Sequence, residues 1–502
     1  MARSPDVLDD PTPFEAPHVD VRVRIAWLLR SWRDFGIDGA SVSVTEMAGL
    51  LKEQGIAASA PSVSGWETGR VAPGGAVVEA YEAVLGCEPG SLRGSVDLVR
   101  RRFGDGRPRS VRNLPTLVDL NDAVDRVVGT PEPTGLAWLH LSETALAVRP
   151  GISTAFLRPL VSQLVSEMSR AAFTGYTTRY EALALLRCGK YAEVVEDAVA
   201  EFLEEPGTAV LGDAARLLAE RPDPVTVRVL SPLLGSDDVL RLRAGVVGLE
   251  HVAADGDLGP SQWRPVVAPF AHAWEVLADD EQRNRQLATL WGALPAPTRA
   301  AIAARLPGQT DPERVMRPGA PVAHRDKLAF CSRVAERATD VLGLRGQPLL
   351  DRLVFEAAFD SRDARRTTST LLLMASPFRG PLALELAAAI RSHQDLVVRR
   401  AAATLFLLLG DEESRGPAVE LLDSDDPVVV TSAIFALAHS GAPLDEDRLE
   451  RLLALPDPLN RRALLYAGMT GQPVLARLAA DPTHPLQQPA AWWLRHGGRV
   501  AL

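Results

Sequence analysis

The chain has 502 residues, more than one hydrophobic core normally organises, so several domains or an elongated repeat array is expected. Apolar residues make up 46% and aromatics only 5%, a balance that suits many short packed helices and predicts an all-α fold. The formal charge of -10 excludes a protein that coats nucleic acid or membrane over its whole surface, so any DNA contact has to be local. Cys87, Cys188 and Cys331 lie far apart, with no CxxC pair and no histidine cluster at ligand spacing, which predicts inert thiols, no metal and no cofactor. An apolar run of the roughly 18 uncharged residues that a bilayer span needs is absent, as is a secretory leader. The expectation is a soluble cytoplasmic protein with no membrane partner.

Residues 1–20 carry four prolines and five acidic residues without apolar periodicity, and read as a disordered acidic leader. From Val21 the pattern changes: Ile25, Leu28, Leu29 and Trp32 recur at helical spacing, with Arg22, Arg24, Arg30 and Arg33 on other faces. After a Gly/Asp turn, Ser43 with Glu46 three residues later marks the start of a second helix at Val44. Pro61 opens a short third helix with Val63 and Trp66 three apart, and a fourth carries Val77, Val78, Tyr81, Val84 and Leu85 to a stop at Gly86. With a turn near Leu92, residues 21–92 form a five-helix domain large enough for its own small core. Seven arginines between Arg93 and Arg112, facing only Asp97 and Asp105, make residues 93–114 a basic linker.

Residues 115–502 show a recurring unit. Asp395, Asp426 and Asp457 stand 31 residues apart, each before an Ala/Leu helix; Asp238 opens a similar element, and Gly207 lies 31 residues before it. Each aspartate suits the N-cap of an inner helix, and the period signals antiparallel helix pairs stacked as an α-solenoid. The period blurs between about 255 and 350. Trp492 and Trp493 are placed to seal the last repeat. His439, His484 and His496 have no carboxylate or Cys neighbours at ligand spacing and read as surface or core residues.

The segment from Ser43 to Leu92 resembles the Cro/repressor, or XRE-type, helix-turn-helix family. The matching residues are Val44-Thr-Glu-Met-Ala-Gly-Leu-Leu, Pro61-Ser-Val-Ser-Gly-Trp-Glu-Thr-Gly-Arg, Pro73 and Leu85-Gly-Cys, and the run from Ser64 to Arg70 is the specific part. The resemblance implies a reading head for double-stranded DNA, with the helix after Pro61 in the major groove. Val63 and Trp66 would be buried beneath it, and Glu67 would be a structural residue tying it to neighbouring backbone or an arginine. Ser62, Ser64, Gly65 and Thr68 are small enough to let the helix approach base edges, and Thr45 and Arg70 are placed for the DNA backbone. Arg100, Arg101 and Arg102 read as part of an arm tracking phosphates. The recognition helix holds no Arg, Asn or Gln for bidentate readout, which points to a homodimer.

The repeats resemble HEAT-type solenoids through the Asp-Pro-x-Val-x-x-x-Ala element, which implies a curved surface for oligomerisation or for a protein or peptide partner. No GxxxxGK[ST], HExxH or GxSxG motif is present, so the expectation is a transcriptional regulator and no enzyme. The alternatives are a scaffold or antitoxin-like protein using the same helices for protein contacts, and a HEAT-like DNA glycosylase. The latter would use Trp263, Trp274 and Trp291 with Asp279 and Asp280.

Overall fold

In the computed structural model, Asp20 caps the first helix, α1 (Val21–Phe35), by accepting from the Val23 amide at 3.1 Å. The structure describes residues 7–37, 39–104, 115–149, 151–276, 281–306, 323–344 and 346–500. Among them are 27 α-helices and no strand, so the fold is all-α as the composition predicts.

Ser43 caps α2 (Val44–Glu53) through its hydroxyl and the Glu46 amide. Ser59, two residues before Pro61, caps α3 (Ala60–Trp66). The fourth helix, α4 (Gly75–Leu85), ends where Gly86 turns into the left-handed region at φ 66°. These boundaries follow the local signals closely, because caps and stops act within one turn.

Beyond Leu92 the expectation of a linker is overturned. Residues Ser91–Phe103 form a fifth helix, α5, whose Leu92, Val96, Leu98 and Val99 are buried. It packs on the helices Phe173–Cys188 and Asp363–Ala375, and its Gly94 lets a threonine-rich helix approach: a Cβ there would meet Thr177 and Thr178 at 3.1–3.3 Å. Trp27 of α1, off the predicted stripe, is buried, stacks on Phe378 at 6.0 Å and donates its indole N–H to Gln347 at 2.9 Å. Trp32 donates to the Ala375 carbonyl at 2.6 Å. One continuous core therefore runs from the head into the helical array, and the boundary expected at residue 92 falls inside a buried helix. Residues 105–114, with Arg107, Arg109 and Arg112, lie outside the described residues.

The acidic leader is also corrected over residues 7–20. Asp10 is fully buried, accepts from Arg24 Nε at 2.8 Å and from Thr12, and Phe14 packs edge-on to Phe355 at 5.1 Å. Prolines prevent a helix here, so the carbonyls of this segment need donors from elsewhere. Arg365 supplies them, reaching the carbonyls of Pro13, Phe14 and His18 at 2.6–3.2 Å, with Arg362 beside it.

Further along, alternate helices stack side by side. Gly135–Ala147 lies on Phe173–Cys188, Gly212–Ala219 on Val239–Asp255, and Leu396–Leu409 on Pro427–Ser440, which lies in turn on Leu459–Met469. Asp238, Asp395 and Asp426 accept from amides of the first turn at 2.8–3.0 Å, as expected of N-caps. Asp457 does not: Pro458 takes the cap position, and Asp457 pairs with Arg461 at 3.3 Å. Trp492 and Trp493 are buried as anticipated, and the cover they find is internal, Trp492 lying edge-on to Phe202 and donating to Glu205 at 3.2 Å. The earlier and later halves of the array also meet directly, through Arg216 and His251 on Asp363, Arg461 on Asp238, and Arg379 stacked 3.7 Å over Phe173. No single helix among the described residues is long and apolar enough to cross a membrane.

Candidate nucleic-acid interface

α3 is held from below. Val63 is fully buried, and Trp66 packs edge-on to Tyr81 with ring centroids 6.5 Å apart. Beneath them Glu67 accepts from Arg33 Nε at 2.7 Å and from the Tyr81 hydroxyl at 3.0 Å, while Arg33 also donates to the Val42 carbonyl at 2.7 Å. Burial raises the Glu67 carboxyl above its ordinary value against the pull of Arg33. Burial and Glu67 together raise the Tyr81 phenol, so it stays a donor at any physiological pH. This network joins α1, α3, α4 and the segment before α2, which fixes the angle at which α3 leaves the surface. The structural role expected of Glu67 is thus what its contacts provide.

The outer side of α3 is a chain of short polar groups. Ser62 Oγ lies 2.8 Å from Ser59 Oγ. Thr68 Oγ1 donates to the Ser64 carbonyl at 2.6 Å, and Arg70 folds back over the helix end to donate to Thr68 Oγ1 at 2.9 Å and Ser64 Oγ at 3.0 Å. The guanidinium therefore meets the negative end of the α3 dipole and keeps further N–H donors facing outward. Thr45 is exposed on the first turn of α2.

Gly65 departs from the expected placement. It is buried because the chain turns at Gly69 and returns, with the Val71 amide bonded to the Gly65 carbonyl at 3.0 Å and the Val71 side chain lying over the Cα. Gly65 therefore backs α3 onto its own loop and does not face a groove. Gly69, at φ 71°, needs a glycine twice over, for its left-handed backbone and because a Cβ would lie 3.2 Å from the Arg22 carbonyl carbon.

That approach brings in a residue the sequence reading passed over as one of several arginines on the outer faces of α1. Arg22 is exposed, stands beside Gly69 and Arg70, and makes no ion pair among the described residues. Only the folded position of Gly69 reveals it.

Arg100, Arg101 and Arg102 do not form an arm. Arg100 donates to the Pro73 carbonyl and lies 3.8 Å from Asp97. Arg101 is engaged by Glu181 at 2.9 and 3.1 Å and by Glu220, both buried. Arg102 lines a small, partly open cleft with Tyr176, Tyr180, Arg216 and Asp363. Partners 80 and 119 residues away turn an apparent basic tether into an internal electrostatic seam. Arg101→Ala should accordingly lower stability by about 3 kcal/mol, since it strands two buried carboxylates, and leave the salt dependence of any DNA binding unchanged. Urea denaturation beside a salt titration of binding checks both halves; a flattened slope with unaltered stability would restore the arm.

Trp263, Trp274 and Trp291 are buried, and Trp274 and Trp291 pack on Phe270 at 6.1 and 5.9 Å. They serve a core and present no face to DNA, while Asp279 and Asp280 lie outside the described residues. No group of three or more His, Cys, Asp or Glu at metal-binding spacing occurs among the described residues.

No protein-family model and no curated protein matches the chain. Among solved structures, a crystal structure of an engineered protein aligns with 75% of this chain and 98% of its own, at 16% identity and a TM-score of 0.25, a score too low to bear on fold or function.

Proposed function

We propose that the chain is a non-catalytic, cytoplasmic DNA-binding transcription regulator of the Cro/repressor helix-turn-helix type. In this reading α3 enters the major groove, Ser62, Ser64 and Thr68 meet base edges, and Thr45, Arg70 and Arg22 meet phosphates. The observation that carries it is the division of α3 into a locked underside, Val63, Trp66 and Glu67, and an outer row of short polar groups ending in a cation. A helix with no bidentate base reader discriminates weakly alone, so the working unit is a homodimer, with the HEAT-like repeats supplying its contacts or those to a protein or peptide partner. Because α1 and α5 are built into the array, the spacing of two heads is set by the repeats and not by a tether.

One observation favours contact with protein instead: residues 21–92 hold six basic and eight acidic side chains. Salt dependence separates the readings. Affinity of the full-length chain for duplex DNA should fall with a log-log slope of about -2 per head, from the phosphates met by Arg22 and Arg70. A slope near zero, or no binding at about 50 mM salt, would select the protein-contact reading.

A further inference from the structure

A half-open groove of about 160 Å³ lies between the helices His324–Leu342 and Arg379–Ser392. The two helices pass antiparallel here: Phe330 meets the His393 ring edge-on at 5.6 Å, and further along Arg337 donates to Glu385 at 3.1 Å. Those two contacts close the ends. From Phe330 to Arg337 the rise of the helix makes the groove roughly 10 Å long. Its floor is apolar, made of Phe330, Val334, Ala388 and Ala389, and its long side opens to solvent between Arg333 and Ser392, both exposed.

The charges lining this groove do not cancel. Glu385 is engaged by Arg337, whereas Arg333 makes no hydrogen bond or ion pair among the described residues. At the end formed by Phe330, His393 accepts the Asp395 amide on Nδ1 at 3.1 Å, which leaves Nε2 as the ring nitrogen that carries a hydrogen and donates. An apolar floor beside an unspent guanidinium suits a ligand with an apolar body and one anionic end. The volume is close to the roughly 150 Å³ of an apolar cavity that accepts benzene, which sets the body at about six carbons. A planar carboxylate matches the guanidinium fork, which can give it two parallel N–H bonds.

We propose that this groove binds a small apolar monocarboxylic acid, its tail on Phe330, Val334, Ala388 and Ala389 and its carboxylate on Arg333, with His393 as a second donor lining the same groove. The closed ends leave no channel along the helices for the residues that precede a peptide's last one, which favours a free acid over a peptide terminus. The inference stands independently of DNA binding, because no residue of the groove belongs to the head.

The test uses the full-length chain, with sodium hexanoate as the probe and sodium acetate, hexylammonium chloride and the peptide acid N-acetyl-glycyl-leucine as comparators. Hexanoate should give a calorimetric Kd at or below about 1 mM and raise the melting temperature progressively with concentration. Acetate, which lacks the tail, and hexylammonium, which reverses the charge, should do neither at the same concentrations. No binding of hexanoate, or equal shifts from hexanoate and either of these, would overturn the site, and tighter binding of the peptide acid would overturn the free-acid assignment. Arg333→Gln, at an exposed position, should melt like wild type and bind hexanoate at least about tenfold more weakly. Ala388→Leu should fill the floor and abolish binding. Undiminished affinity in the folded Arg333→Gln variant, or binding retained in a folded Ala388→Leu variant, would place the ligand elsewhere and overturn the inference.

Discussion

Glu356→Gln is expected to unfold the junction between head and array, lowering stability by about 3 to 5 kcal/mol and carrying much of the chain with it. Glu356 is fully buried and accepts from Arg24 at 2.7 and 2.8 Å, Arg352 at 2.9 Å, Arg365 at 3.3 Å and Ser369 at 2.6 Å. Glutamine keeps the volume but removes the charge, leaving Arg24 and Arg352 with Asp10 and taking from Arg365 the carboxylate it pairs with. The same group gives the chain an acid limb. Burial would raise Glu356, but the hydrogen bond and charge of Arg24, with Ser369 and Arg352, outweigh it and hold the carboxyl below its ordinary value of 4.5. Glu220, opposed by burial and pulled down by Arg101, falls to about 2. A carboxylate lowered on folding stabilises above its unfolded value and loses that contribution as pH falls through the folded one. Wild-type stability should therefore decline from about pH 4.5 downward, and Glu356→Gln should start lower and decline less steeply. Urea midpoints across pH 3 to 7 test this; parallel curves would place the acid sensitivity elsewhere.

Trp66→Ala should cost about 3 to 5 kcal/mol, and the loss should be confined to α2, α3 and α4. Its indole packs edge-on to Tyr81, whose hydroxyl donates to Glu67 of the Glu67–Arg33 pair that orients α3. α1 and α5 are anchored separately, by Trp27 on Phe378 and by the Ser95 hydroxyl on the Leu371 carbonyl at 3.3 Å. Hydrogen exchange should thus quicken over residues 44–85 and stay slow in α5 and the helices that follow it. Uniform loss of protection would mean that the head and array unfold as one unit; no change at all would remove Trp66 from the core.

What could be read from the sequence was what local chemistry decides. Ser43, Asp238, Asp395 and Asp426 cap helices because a short side chain reaches an amide two or three residues on, and Gly86 stops one because it alone tolerates the left-handed turn cheaply. The buried and polar sides of α3 were legible for the same reason, except at Gly65, where the returning loop decides. What depends on distant partners was not. Arg101 looks like a tether residue until Glu181 and Glu220 arrive, and Asp10 looks like part of a disordered tail until Arg24 and Arg352 enclose it. Charge density in a sequence gives the number of charges, whereas burial depends on which opposite charges the fold delivers.

The account turns on the outer row of α3, and selection from sheared genomic DNA by the full-length chain tests it most directly. Wild type should enrich a recurring sequence with two half-sites about one helical turn, or a multiple, apart. Ser64→Glu/Thr68→Glu, which places carboxylates among phosphates and leaves Val63 and Trp66 untouched, should enrich none while melting like wild type. A folded double variant that enriches the same sequence, or a wild type that enriches nothing, would contradict DNA reading by this helix.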